Sequence, residues 1–338
     1  MVLAIKYYQE ESMAHLISGL HHLTSCVAGA QEDIDFFTKI IGQRMVKQTV
    51  LFDGTLPIYH LYYGNANAEP GSIMTTFPFK QAGIYARKGS GQVKVTGYSV
   101  PTSSLGFWIE RFEQYGVPHD PIAERFGQKY LRFYHPAGLE FEMIGDDHDD
   151  RAPWSTDEVP AEVGVRGLHT ITLSLRETLE SERFMIEGLG FRKTGQECAY
   201  TRFEIGKGGA GGTIDFLHEP DVPAGSWTFG VGMVHHVAFA VRNDEEQAQV
   251  KAFLEGLGYT DVSESKDRNY FHSIYVRMPG GVLFEIATTD IGFATDEPAD
   301  QLGKKLLLPP WFEHRREEIL SALEPISVPQ AFVTDRNT

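Results

Sequence analysis

Two histidine doublets, His21-His22 in "LHHLT" and His235-His236 in "VHHVA", head apolar, β-branched runs near opposite ends of the chain. A carboxylate, Glu285, sits in the similar run "GGVLFEIA". Two imidazoles and one carboxylate form a donor set that suits non-heme Fe(II) and leaves coordination positions open for exogenous molecules. Whether these groups converge depends on the elements that carry them.

Each run reads as a strand, so alternation assigns its faces. In "VHHVAFAV" one face carries His235, Val237, Phe239 and Val241, a packing row. The other carries His236, Ala238 and Ala240, whose small neighbours leave room beside the imidazole. In "LHHLTSCV" the same phase groups His21 with Leu23 and Val27, and sets His22, Thr24 and Cys26 opposite. In "GGVLFEIA", Phe284 and Ile286 take the packed side, and Leu283, Glu285 and Ala287 face inward. An inward carboxylate without a partner costs on the order of several kcal/mol or protonates. A divalent cation supplies that partner, so the expected metal ligands are His22, His236 and Glu285.

A repeat explains why the doublets share a setting. Four amphipathic helical segments end at Gly42, Gly116, Gly190 and Gly258, spaced 74, 74 and 68 residues apart. Apolar residues recur in them at three- and four-residue spacing, and glycine suits the left-handed stop. Short strands follow each helix, including "KYLRFYHP", "GLEFEMI", "YFHSIYVRMP" and "GVLFEIA". The unit is β-α-β-β-β, and a single unit cannot cover both faces of its sheet, so units must pair. Joining His22 to His236 pairs unit one with unit four, and unit two with unit three.

This plan resembles the vicinal oxygen chelate superfamily over residues 18–290. Within it, "LHHLT", "FFTKIIGQRMVKQT", "LFDGTLPIYHLYYG", "MTTFP", "ERFGQKYLRFYHP" and "SIYVRMPGGVLFEIA" are similar to the para-hydroquinone 1,2-dioxygenases, which cleave hydroquinone or its chlorinated forms. The resemblance implies an α+β fold of four βαβββ modules in two cupped mixed β-sheet barrels of glyoxalase and extradiol dioxygenase type, with helices outside. Two domains are expected, residues 1–155 with modules one and two, and residues 156–338 with modules three and four and a C-terminal helical tail. It further implies Fe(II), with Mn(II) suiting the same ligands, O2 as co-substrate and a small aromatic substrate. Tyr275 and Arg268 match second-sphere positions of that family, as proton donor and oxyanion holder. His21, Thr24 and His235 match positions near the metal, where an imidazole orients a ligand or shuttles a proton.

His169 in "LHTITLSL" competes for a ligand role, since catechol-cleaving relatives draw both histidines from the C-terminal half. Aligned on the doublets, however, it matches His21 and His235, and Thr170 takes the ligand position. Glu142 aligns with Glu285 but faces Thr170 and the Lys94-Val95 region, so scaffold is expected there. Between Leu51 and Lys80 the only acids are Asp53 in a "DGT" turn and Glu69 in an "EPG" turn, which leaves the metal without a fourth carboxylate.

The chain has 338 residues, 42% hydrophobic and 12% aromatic. A net charge of −16 argues against nucleic-acid or anionic-lipid partners. Two cysteines, Cys26 and Cys198, provide no disulfide framework. Glu10 and Glu11 interrupt the stretch a signal peptide would need, and no run of about 18 apolar residues exists. A cytoplasmic enzyme is expected. Residues 311–323 read as a helix whose Phe312, Ile319, Leu320 and Leu323 cap a cup or meet a second copy, so a homo-oligomer is expected. The rival readings are a catechol dioxygenase using His169, a metal-dependent isomerase, and a module that sequesters an aromatic compound without turnover.

Overall fold

The computed structural model describes residues 16–51 and 57–329. The acidic pair Glu10 and Glu11 and the Asp53 turn lie outside the described residues. The four modules fall into two eight-stranded sheets. Module one comprises β1 (Leu20–Val27), α1 (Ala30–Asp35), β2 (Arg44–Val50), β3 (Tyr59–Gly64) and β4 (Ile73–Pro78). Module two has β5 (Gln92–Val100), α2 (Leu105–Tyr115), β6 (Ala123–Arg125), β7 (Gln128–Tyr134) and β8 (Glu140–Gly145). Module three has β9 (Gly167–Leu175), α3 (Leu179–Arg183), β10 (Arg192–Glu197), β11 (Tyr200–Glu204) and β12 (Thr213–His218). Module four has β13 (Met233–Val241), α4 (Asp244–Gly256), β14 (Lys266–Asp267), β15 (His272–Arg277) and β16 (Leu283–Thr288).

One sheet runs β14-β15-β16-β13-β1-β4-β3-β2, and the other runs β10-β11-β12-β9-β5-β8-β7-β6. Module one therefore pairs with module four, and two with three. In both sheets the first strands of the paired modules meet antiparallel at the centre, β1 on β13 and β5 on β9. The helices pack outside, where Trp108, Phe112, Phe184, Val250 and Leu254 join the main core with the outward rows of the strands. All four helix-ending glycines adopt positive φ, from 65° at Gly116 to 100° at Gly258, where a β-carbon would be strained.

The tail divides its work. Phe293 packs in one cluster with Tyr62, Tyr270 and Phe271 at the cup of modules one and four. Buried Lys47 on β2 anchors the segment through ion pairs to Asp296 (2.7 Å) and Glu297 (2.6 Å). Further on, residues Pro310–Arg315 form a 3-10 turn and Arg316–Ala322 a short α-helix, α5, in place of the single helix expected over 311–323. Ile319 and Leu323 are buried in the main core, whereas Leu320 is exposed. No helix among the described residues is long and apolar enough to cross a membrane.

Candidate metal centre

The three expected ligands converge. β1 and β13 deliver His22 and His236 across the central antiparallel pair, with Nε2 atoms 3.0 Å apart. β16 lies parallel to β13 and sets Glu285 beside Ala238. Glu285 Oε2 stands 2.9 Å from His236 Nε2 and 3.7 Å from His22 Nε2, and one ligand atom from each residue falls within a 4.8 Å cluster. All three side chains are buried, and Glu285 is fully so.

Two features fit this donor set to a divalent cation. Glu285 Oε1 is engaged by the Ser273 hydroxyl, but Oε2 is a buried oxygen with no hydrogen-bond donor aligned to it. Burial would push the Glu285 carboxyl up, yet the imidazoles of His236 and His22 and the Ser273 hydroxyl hold it below the usual carboxylate range. Conversely, burial holds the His22 imidazole well below its usual range, keeping a lone pair for coordination.

Strict alternation misplaces the first histidine of each doublet. β1 skips His21 between the pairs Leu20↔Phe239 and His22↔Ala238, and β13 skips His235 between Thr24↔His236 and Ser25↔Val234. Each is the extra residue of a bulge, which swings the side chain round beside its neighbour. Hence His21 Nδ1 lies 2.8 Å from His22 Nδ1, and His235 Nδ1 lies 2.8 Å from His236 Nδ1. For Nε2 to face a cation, each ligand imidazole must carry its proton on Nδ1 and donate to the preceding ring. Burial keeps those rings neutral acceptors, pushing His21 down to about 4 and His235 well below its usual range.

A cavity of about 320 Å³ opens onto His22, His236 and Glu285. Tyr275, directly across the ladder from Glu285, borders it with Arg268, whose Nε donates to the Tyr275 hydroxyl at 3.1 Å. Burial, followed by the Glu285 charge, pushes the Tyr275 phenol far up, so it stays protonated. Thr24 lies behind the cavity, 2.8 Å from His236 Nε2. A larger groove of about 400 Å³, lined by Lys39, Trp154 and Asp300 among others, contains none of these groups.

Several lining residues were missed in the sequence. His60 and Tyr62 alternate on β3 and both face the cavity, with Phe77 and Phe271 as apolar walls. The signal was the alternation in "HLY", in a run ahead of "MTTFP". His169 is not part of the ligand cluster. It also occupies a bulge, between the pairs Thr96↔Ile171 and Tyr98↔Leu168, and contacts Thr170 (2.6 Å), Gln128 (3.1 Å) and Asp146 (3.3 Å).

Paired βαβββ modules that form a cup with inward histidines and a carboxylate define the vicinal oxygen chelate class. The fold matches glyoxalase I from Zea mays at TM-score 0.60 and 13% identity, covering 82% of this chain and 95% of that one. A crystal structure from Bacillus subtilis matches at TM-score 0.87 and 37% identity over 93% of this chain and 99% of that one. No family model matches the sequence. Chlorohydroquinone/hydroquinone 1,2-dioxygenase of Sphingobium indicum is 42% identical over 315 residues, 92% of this chain and 98% of that protein. The chain belongs to that family of ring-cleaving dioxygenases.

Proposed function

We propose that the protein opens the ring of hydroquinone or a substituted hydroquinone beside a hydroxylated carbon, using O2 and an ion held by His22, His236 and Glu285. Fe(II) is the ion this donor set favours, and Mn(II) suits the same ligands. Bound there, it would bring a phenolate and dioxygen together and pass electrons between them. The observation that carries the reading is the residue at the fourth position. Glu285 sits opposite Ala238, two residues after His236, and the matching residue opposite Thr24, two after His22, is Thr75. A hydroxyl where symmetry would place a carboxylate leaves room for exogenous ligands.

The surrounding residues suit a single bound phenolate. Para hydroxyls cannot chelate one ion, so orientation falls to Phe77, Phe271 and the polar rim. Arg268 keeps its charge and holds an oxyanion, and the protonated Tyr275 supplies a proton to a departing oxygen. His21 and His235 accept from the ligand imidazoles and lock their orientation. His235 is itself fixed under Phe229, ring centroids 3.7 Å apart.

Anaerobic loading with Fe(II), followed by oxygen uptake with hydroquinone and catechol side by side, tests the reading. Uptake coupled to hydroquinone loss, with catechol slower, is expected. Faster turnover of catechol would favour the catechol dioxygenase, and tight aromatic binding without oxygen uptake a sequestering module.

A further inference from the structure

We infer that Tyr62, His60 and Thr75 are positioning residues that fix the Thr24 hydroxyl as a hydrogen-bond donor to the phenolate oxygen of the bound aromatic diol. The inference rests on the ring-cleaving reading above. A continuous buried chain connects the four groups. The Tyr62 hydroxyl lies 2.9 Å from His60 Nδ1, and His60 Nε2 lies 2.9 Å from Thr75 Oγ1. Thr75 Oγ1 is 2.7 Å from Thr24 Oγ1, which is 2.8 Å from His236 Nε2. The ladder places these links, because Tyr62 pairs with Thr75 across β3 and β4, and Thr24 with Thr75 across β1 and β4.

A neutral imidazole carries one proton, so the chain could run either way, and Tyr62 selects the direction. Its hydroxyl is fully buried and faces His60 Nδ1 as its acceptor among the described residues. Reversal would strand a buried O–H, which folded proteins avoid. Tyr62 therefore donates to Nδ1, Nε2–H donates to Thr75, and Thr75 donates to Thr24. With the His236 lone pair committed to a cation, the Thr24 proton, 2.8 Å from that nitrogen, is left for an oxygen bound beside the cation. Burial reinforces the direction by holding the His60 ring neutral and the Tyr62 phenol protonated. The matching registers of the other sheet, Arg202 and Asp215, form an ion pair in place of such a chain.

Ring nitrogen NMR shifts of 15N-histidine protein, recorded without metal, should show His60 protonated at Nε2; an Nδ1–H tautomer would overturn the inference. In zinc-loaded protein, where the ion has no redox chemistry to support turnover, Thr75→Val should weaken anaerobic hydroquinone binding roughly tenfold, about the worth of one charge-assisted hydrogen bond, with zinc content unchanged. Thr24→Val should do the same, and the double variant should be no worse than either single one. His60→Leu should match Thr75→Val, and His60→Gln, with an acceptor and a donor on one carbon, should restore most of the affinity. Wild-type affinity in Thr75→Val, or additive losses, would overturn the inference alone. Failure of the wild-type protein to bind hydroquinone would overturn the ring-cleaving reading and the inference with it.

Discussion

The two cups are built on one backbone plan and filled with opposite chemistry. Across the four modules, His22, His236, Val95 and Thr170 occupy one register, each two residues before a position paired with Thr75, Glu285, Glu142 and Asp215 respectively. On the next strand out, Tyr62, Tyr275, Arg132 and Arg202 face those four in turn. The cup of modules one and four thus has two imidazoles, one carboxylate and two phenols. The other has no imidazole at those positions and two carboxylates, closed by guanidinium groups. Arg125 and Arg132 reach Glu142 at 2.8 and 2.7 Å, and Arg202 grips Asp215 at 2.8 and 2.9 Å.

The difference shows how a buried carboxylate decides the use of a site. Glu142 and Asp215 meet fixed cations of their own chain, which satisfies them and fills the space. Glu285 meets imidazoles and a hydroxyl, and its Oε2 has no aligned hydrogen-bond donor, which suits it to a cation from outside. One frame thus suits a scaffold or a candidate metal centre according to which partner the acid has.

The largest expected effect comes from breaking the open cup. Glu285→Ala or His22→Ala should abolish both Fe(II) retention, measured by elemental analysis, and oxygen uptake; full activity in either purified variant would rule out the ligand set. Breaking the closed cup should instead cost stability. Glu142→Gln takes from Arg125 and Arg132 the carboxylate they share, leaving only the longer pairs to Asp215 (3.5 Å) and Glu140 (3.8 Å), and should lower unfolding free energy by about 3 kcal/mol in urea melts, with bound metal unchanged. Tyr275→Phe alters the register where the second cup has Arg132, and should lower kcat about a hundredfold with metal content intact.

The smallest effect concerns His169, the counterpart of the bulged His21. Its hydrogen bond, together with the His148 amide, pushes the Asp146 carboxyl down to about 2. A depressed carboxyl stabilises the fold above its unfolded value and loses that contribution as pH falls through its folded value. Asp146→Asn should therefore destabilise at neutral pH by around 1 kcal/mol, limited by solvent screening, and the gap to wild type should close by about pH 2 in thermal melts.

Much of this was legible because it is periodic. Alternation set the inward faces of "VHHVAFAV" and "GGVLFEIA", and the helix-ending glycines marked the modules. The bulges at His21 and His235 were not legible, since an inserted residue is defined by the partner strand it fails to pair with. The Glu142 alignment was readable, but its arginine partners were not, because Arg125 and Arg132 reach it from neighbouring strands.

The sequence alone determined the repeat, the donor types and the inward side of His22, His236 and Glu285, because side-chain direction follows from a two-residue period. Tertiary structure decided how the doublets turn beside one another, and that Glu285 Oε2 is left without an aligned hydrogen-bond donor where both oxygens of Glu142 have one. Those outcomes depend on distances between strands far apart in the chain, which no local pattern encodes.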